Sequence, residues 1–215
     1  MNLEELSFDN FMSLSSKDRK YVINNPEYLK IMVKKNVSKH RYEHSLSVAD
    51  TCLFLARKHH EDENRAYVAG LLHDCCKFPD SDTSNVLEEY LKYYDPSKLN
   101  GIYGAYHSWV APYYLREKLN FHDSHVLNAI YNHTICNSRD KLSKILYIAD
   151  KREPLRNIDD NILNIAYTDL DYAFSLLEND VERYIRSKNE EPKFYNTYDA
   201  GDGNIIEIDD DINFK

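Results

Sequence analysis

The stretch "GLLHDCCK", Gly70 to Lys77, ends a short apolar run in a histidine followed at once by an aspartate. His73 lies four residues after Ala69 and three after Gly70, so at helical spacing it continues a face of small side chains that allows close helix approach. An unpaired carboxylate at such a position costs several kcal/mol, so Asp74 needs a partner.

Working outward, nearly every segment has helical rather than strand periodicity. "RYEHSLSVADTCLFLARKHH" carries Tyr42, Leu46, Ala49, Leu53 and Ala56 on one stripe. Further helices are expected at "EYLKIMVKKN", "ENRAYVAGLLHD", "NVLEEYLKYY", "SWVAPYYLREKL", "DSHVLNAIYNHT" and "DKLSKILYIAD", with one long helix through "DNILNIAYTDLDYAFSLLENDVERYIR". Pro112 leaves the start of the "SWVAPYYL" helix open. No βαβ alternation is present. The one strand-like segment is "NIIEI", preceded by an Asp202-Gly203 turn signal. The fold class expected is all-α.

The ends read as additions: residues 1–25 as an N-terminal extension closed by the Asn25-Pro26 break, 26–186 as the helical domain, and 187–215 as an acidic tail. That tail has eight acidic and three basic residues, and so holds five of the nine net negative charges of the 215-residue chain. With net charge -9 and no basic stripe, an electrostatic grip on nucleic acid is not expected, and a small molecule is the expected partner. No apolar run reaches the length of a membrane span, and the N-terminus lacks a signal pattern. Cys52, Cys75, Cys76 and Cys136 form no CxxC pair, which fits reduced thiols and a cytoplasmic location.

The polar residues fall on the same stripes. His133 continues Val126, Ala129 and Ile130; Asp150 follows Leu142 and Leu146; His107 is in line with Val110, Ala111 and Tyr114; His44 sits beside Val48. Each imidazole alone is more often a hydrogen-bonded core or surface residue. The ordered set His44, His73-Asp74, His107, His133, Asp150 is too rich for one tetrahedral zinc and suits two octahedral metals sharing a bridging carboxylate.

At these residues the chain resembles the HD-domain metal-dependent phosphohydrolases. "RYEHSLSVA", "AGLLHDCCK", "YHSWVAPYYL", "VLNAIYNHT" and "KILYIADKREPLR" look like the YqeK-type branch, bacterial symmetrical diadenosine tetraphosphate hydrolases that release two ADP. The likeness covers about residues 38 to 157 and implies an HD-domain helical bundle with a dinuclear metal site in its core. It implies that His44, His73 and Asp150 hold one ion, His107 and His133 the other, and that Asp74 bridges, so that a hydroxide between the ions attacks phosphorus. Iron is the metal the resemblance favours, with manganese, cobalt or zinc also suited to these ligands. Lys77, three residues past Asp74, is the first candidate for a cationic donor to the phosphates. Arg152 and Arg156, one turn apart, are further candidates, as are Thr134 and His40 at the border of the site. Tyr103, Tyr106 and Tyr114 are candidates to stack on adenine, while His59, His60, His122 and His125 are read as bystanders.

Departures from the family pattern are "HTIC" where a second threonine and a glycine usually stand, "RDKLSKILYIAD" without the usual methionine and glutamate, and Lys151-Arg152 in place of a more apolar pair. None removes a ligand. The N-terminal segment resembles the tail of an adenylyltransferase domain, to which the family is sometimes fused. The expected substrate is therefore a dinucleotide polyphosphate, and a homodimer is the assembly considered. Competing readings are an HD phosphohydrolase for a nucleoside triphosphate or guanosine polyphosphate, and a non-catalytic nucleotide sensor.

Overall fold

The apolar stripes close into helices wherever a side chain caps the first turn. The computed structural model describes residues 5–77, 106–187, 197–199 and 205–207. Its helices are α1 (Phe8–Phe11), α2 (Ser16–Ile23), α3 (Pro26–Asn36), α4 (Lys39–His59), α5 (Glu63–Leu72), α6 (Tyr106–Leu119), α7 (Ser124–Asn132), α8 (Lys141–Arg152), α9 (Ile162–Ala166) and α10 (Leu170–Ser187). The Ser38, Asp62, Asp123 and Asp140 side chains accept the backbone N–H of Arg41, Arg65, Val126 and Ser143, and so start α4, α5, α7 and α8. The helix expected at "NVLEEYLKYY" and the Asp202-Gly203 turn lie outside the described residues.

Helix α5 is buried from Ala66 through Leu72 and is central, flanked by α3, α4, α7 and α8. Its closest approach is at Gly70, where a Cβ would stand 2.6 Å from Ala49 Cα and 2.8 Å from Ala49 N. Only a glycine lets α4 and α5 meet this closely, which brings His44 and His73 to a ring-centroid distance of 5.2 Å. The small-residue face in the sequence thus places two imidazoles side by side.

Leu6, Phe8, Phe11 and Val22 from the expected N-terminal extension join the same core, with the Phe8 ring 5.5 Å from that of Tyr114. Helix α6 begins earlier than "SWV", at Tyr106, and runs through Pro112. Buried Val110, Ala111 and Leu115 on either side hold it against the core and override the proline's missing hydrogen bond. The single long helix expected near the C-terminus is two, α9 and α10. Asp169 Oδ1 takes the Tyr172 N–H at 2.9 Å and opens a new helix in place of continuing the first. Leu170, Ala173, Phe174 and Leu177 of α10 face the core, where Phe174 packs edge-on against Tyr147 at 5.3 Å.

The strand-like "NIIEI" supplies Ile205–Glu207, which pairs antiparallel with Thr197–Asp199, Tyr198 opposite Ile206. Among the described residues no helix is long and apolar enough to cross a membrane.

Candidate metal centre

Three helices end at one place. His73 and His133 are the C-cap residues of α5 and α7, and Asp150 lies near the end of α8. Both imidazoles turn back onto a carbonyl of the last helical turn. His73 Nδ1 donates to Gly70 O at 2.7 Å, and His133 Nδ1 donates to Ile130 O at 2.6 Å. A carbonyl only accepts, so Nδ1 carries the proton and, in a neutral ring, the Nε2 lone pair faces the centre.

His44, from the first turns of α4, is oriented in the same way from the other side. Its Nδ1 is 3.0 Å from Glu153 Oε1, leaving Nε2 3.2 Å from Asp150 Oδ1. His107, in the first turn of α6, brings its Nε2 to 2.9 Å from His133 Nε2. Asp74 lies between the groups. Its Oδ2 is 3.5 Å from His73 Nε2 and 3.9 Å from His44 Nε2, and its Oδ1 is 3.3 Å from His107 Nε2 and 3.6 Å from His133 Nε2.

All six residues are buried, between 0% and 9% exposed, which is what makes their arrangement informative. His73 Nε2 and Asp74 Oδ1 have no hydrogen-bond partner despite these short distances. Buried polar atoms are rarely left this way. Imidazole lone pairs aimed at carboxylate oxygens and at one another are suited to a cation at their centre. Two sets have donor atoms within 4.8 Å of one another, His44, His73, Asp150 and His73, Asp74, His133. Borderline nitrogen with hard oxygen is a donor set that divalent iron, manganese, cobalt and zinc all accept, so the residues fit divalent metal.

Charge in the cluster follows from the same packing. Burial pushes the His133 imidazole down to about 3, keeping it neutral, and lowers His107 as well. Burial alone would raise Asp74 and Asp150. The surrounding groups outweigh it, first the His73 imidazole at Asp74 and the His44 imidazole at Asp150, with the Lys77 and Lys151 ammonium groups beside them, and hold both carboxyls well below the usual carboxylate range.

Cations ring the cluster. Arg41 Nη1 donates to Asp74 Oδ2 at 2.8 Å and Lys77 Nζ lies 3.2 Å from Oδ1, with side chains 34% and 30% exposed. Their heads therefore stand at the boundary between the buried carboxylate and solvent. Arg156 Nη2 donates to Asp150 Oδ1 at 2.9 Å, and Thr134 Oγ1 is 3.3 Å from His107 Nε2.

Of the residues singled out in the sequence, the structure brings together His44, His73, Asp74, His107, His133, Asp150, Lys77, Thr134 and Arg156. It does not bring Arg152, whose Nε donates to Asp160 at 2.6 Å and whose Nη1 donates to Lys151 O. His40 is exposed on α4. Tyr114 is buried, with its hydroxyl donating to Asn36 Oδ1 at 3.2 Å, and is a core residue; Tyr103 and the Tyr106 side chain lie outside the described residues. Sequence reasoning passed over Arg41 and Glu153, and noted Lys151 only as a departure from the family pattern. Arg41 precedes His44 by one turn and Glu153 follows Asp150 by one turn, so spacing from a candidate ligand was the available signal.

A cavity of about 610 Å³ lies at the opposite ends of α5, α7 and α8, lined among others by His59, Arg65, Lys141 and Asp169. It gathers four Arg or Lys and four Asp or Glu residues, so the formal charge of its lining is balanced.

Residues 41–155 match the HD domain family. The symmetrical bis(5'-nucleosyl)-tetraphosphatase of Halalkalibacterium halodurans is 31% identical over 151 residues, covering 66% of this chain and 77% of that protein. A probable nicotinate-nucleotide adenylyltransferase/Ap4A hydrolase of Mycoplasma genitalium is 31% identical over 177 residues; the chain spans 49% of its length, about half. The crystal structure of a predicted HD superfamily hydrolase involved in NAD metabolism, from Clostridium acetobutylicum, superposes with a TM-score of 0.68 at 26% identity, over 79% of this chain and 91% of that one.

Proposed function

The chain belongs to the HD-domain family, and on that premise we propose that it hydrolyses diadenosine tetraphosphate symmetrically to two ADP. Two divalent ions, iron foremost, would be held by His44, His73, Asp74, His107, His133 and Asp150. The observation that carries this reading is the division of Asp74: one oxygen faces His44 and His73, the other His107 and His133. A carboxylate placed in that way is suited to bridge two ions. The names of the relatives support the substrate.

Ions bound there would supply a water of lowered pKa and polarise a phosphoryl oxygen. The side chains do the rest. Nδ1–H bonds to Gly70 O, Ile130 O and Glu153 hold three imidazoles in one tautomer and one orientation. Arg41 and Lys77, at the mouth on either side of Asp74, are placed to take phosphate oxygens and to neutralise the charge that develops as the central anhydride breaks. Arg156, with 37% of its side chain exposed, would grip an outer phosphate with the part of its fork that Asp150 does not occupy. Water oxygen ends on one ADP, and the oxygen of the broken anhydride leaves with the other. Four buried cysteines outside any disulfide suit a reducing compartment, so we place the protein in the cytoplasm.

The test is chromatographic analysis of diadenosine tetraphosphate incubated with the metal-loaded chain. ADP as sole product supports the reading. AMP with ATP, or no turnover at full metal loading, overturns it.

A further inference from the structure

Lys151 directly follows Asp150 in α8, yet its side chain is only 15% exposed and its ammonium group points inward. Nζ donates to His133 O at 2.7 Å, lies 3.6 Å from Asp150 Oδ2 and stands 3.7 Å from the centroid of the Tyr147 ring. An ammonium group taken from water needs such partners, and here each has a structural consequence.

The first partner is the carbonyl of the residue that ends α7, where no intrahelical donor remains. A cation at that end also complements the helix dipole. The second is one oxygen of Asp150. The other oxygen, Oδ1, faces His44 at 3.2 Å, His73 at 3.6 Å and Arg156 at 2.9 Å. Lys151 therefore stands as an ion-pair partner on the Oδ2 side of the Asp150 carboxylate, while Oδ1 is presented inward. The same ammonium group holds the backbone of His133, which contributes its Nε2 to the neighbouring donor set with His73 and Asp74.

We infer that Lys151 is a positioning residue that couples the two halves of the metal centre, setting His133 against Asp150 without touching substrate. The inference rests on the two-metal reading given above. It assigns a role to a buried cation that the reaction itself does not use.

The test uses Lys151→Met, Lys151→Gln and Lys151→Arg in the full chain loaded with Mn²⁺. Readouts are ions retained per chain, the electron paramagnetic resonance signal of the exchange-coupled Mn²⁺ pair, kcat and KM. Lys151→Met is expected to weaken binding of one ion about ten- to hundredfold. The pair signal should give way to that of isolated ions, and kcat should fall while KM stays within about twofold, because phosphate contacts are untouched. Lys151→Gln, which keeps a donor for His133 O but no charge, should lie between, and Lys151→Arg should recover most of the pair signal. If Lys151→Met misfolds, Lys151→Gln carries the test. Either folded variant retaining both ions, the pair signal and wild-type kcat would overturn the inference. Wild-type chain that holds no ion pair would overturn the underlying two-metal reading, and this inference with it.

Discussion

Glu153 Oε1 lies 3.0 Å from His44 Nδ1, and this contact orients an imidazole whose other nitrogen faces Asp150. Glu153 is buried and also accepts from Ser47 Oγ and from Leu155 N, both at 2.6 Å. One carboxylate thereby ties His44 of α4 to the turn that carries Arg156. Glu153→Ala should lower metal affinity or kcat about ten- to hundredfold, as loss of such outer partners does. Leaving its donors unpaired should also cost about 1–3 kcal/mol of stability, read by denaturant titration. Glu153→Gln keeps an acceptor for His44 and should lose less of both.

Gly70→Ala sets two effects against each other. Alanine favours a helix interior by about 1 kcal/mol over glycine. Its Cβ would meet Ala49 Cα at 2.6 Å, and that is backbone, which cannot swing aside. Overpacking of this kind costs about 1–3 kcal/mol, so the variant should melt below wild type and, with His44 displaced from His73, retain less metal. A melting temperature equal to or above wild type would show that α4 and α5 separate freely.

The thiols are predicted to be silent in the folded chain. Cys52, Cys75, Cys76 and Cys136 are all buried, and burial pushes Cys136 up to about 12 and raises Cys52 and Cys76. A folded thiol held above its ordinary value stays protonated at pH 8, where an unfolded one is already partly thiolate. Iodoacetamide at pH 8 should leave the native protein unmodified and label it fully in denaturant, as mass spectrometry would read. Rapid labelling of the native state would contradict this burial.

The convergence of the six candidate ligands was legible because each sits on, or one position beside, an apolar stripe whose period is set by the helix itself. Gly70 was legible for the same reason, as part of a small-residue face. Arg41, Glu153 and Lys151 were not, since a charged residue at a helix edge looks alike in sequence whether it meets solvent or turns inward. Arg152 shows the converse: its spacing from Arg156 suggested a shared phosphate grip, but Asp160, eight residues on, captures it. The division between α9 and α10 was hidden because apolar periodicity continues across Asp169, and only its side-chain bond to Tyr172 N reveals a cap.

Arg41 and Lys77 should separate chemistry from metal binding. Arg41→Ala and Lys77→Ala remove cations from the mouth without removing a ligand, so metal content should stay at the wild-type level. If the two stabilise charge in the transition state, kcat/KM for diadenosine tetraphosphate should fall about 10²- to 10³-fold in each. Wild-type kcat/KM in Arg41→Ala would assign that side chain to charge balance with Asp74 alone.

Asp74 decides the central claim, because its two oxygens face the two halves of the centre. The direct measurement is metal content per chain by mass spectrometry for wild type and Asp74→Ala, each at saturating Fe²⁺ and then desalted, with helical content checked by circular dichroism. The account predicts about two ions in wild type and loss of both in Asp74→Ala with helicity preserved. Two ions retained by a folded Asp74→Ala, or no more than one in wild type, would contradict it.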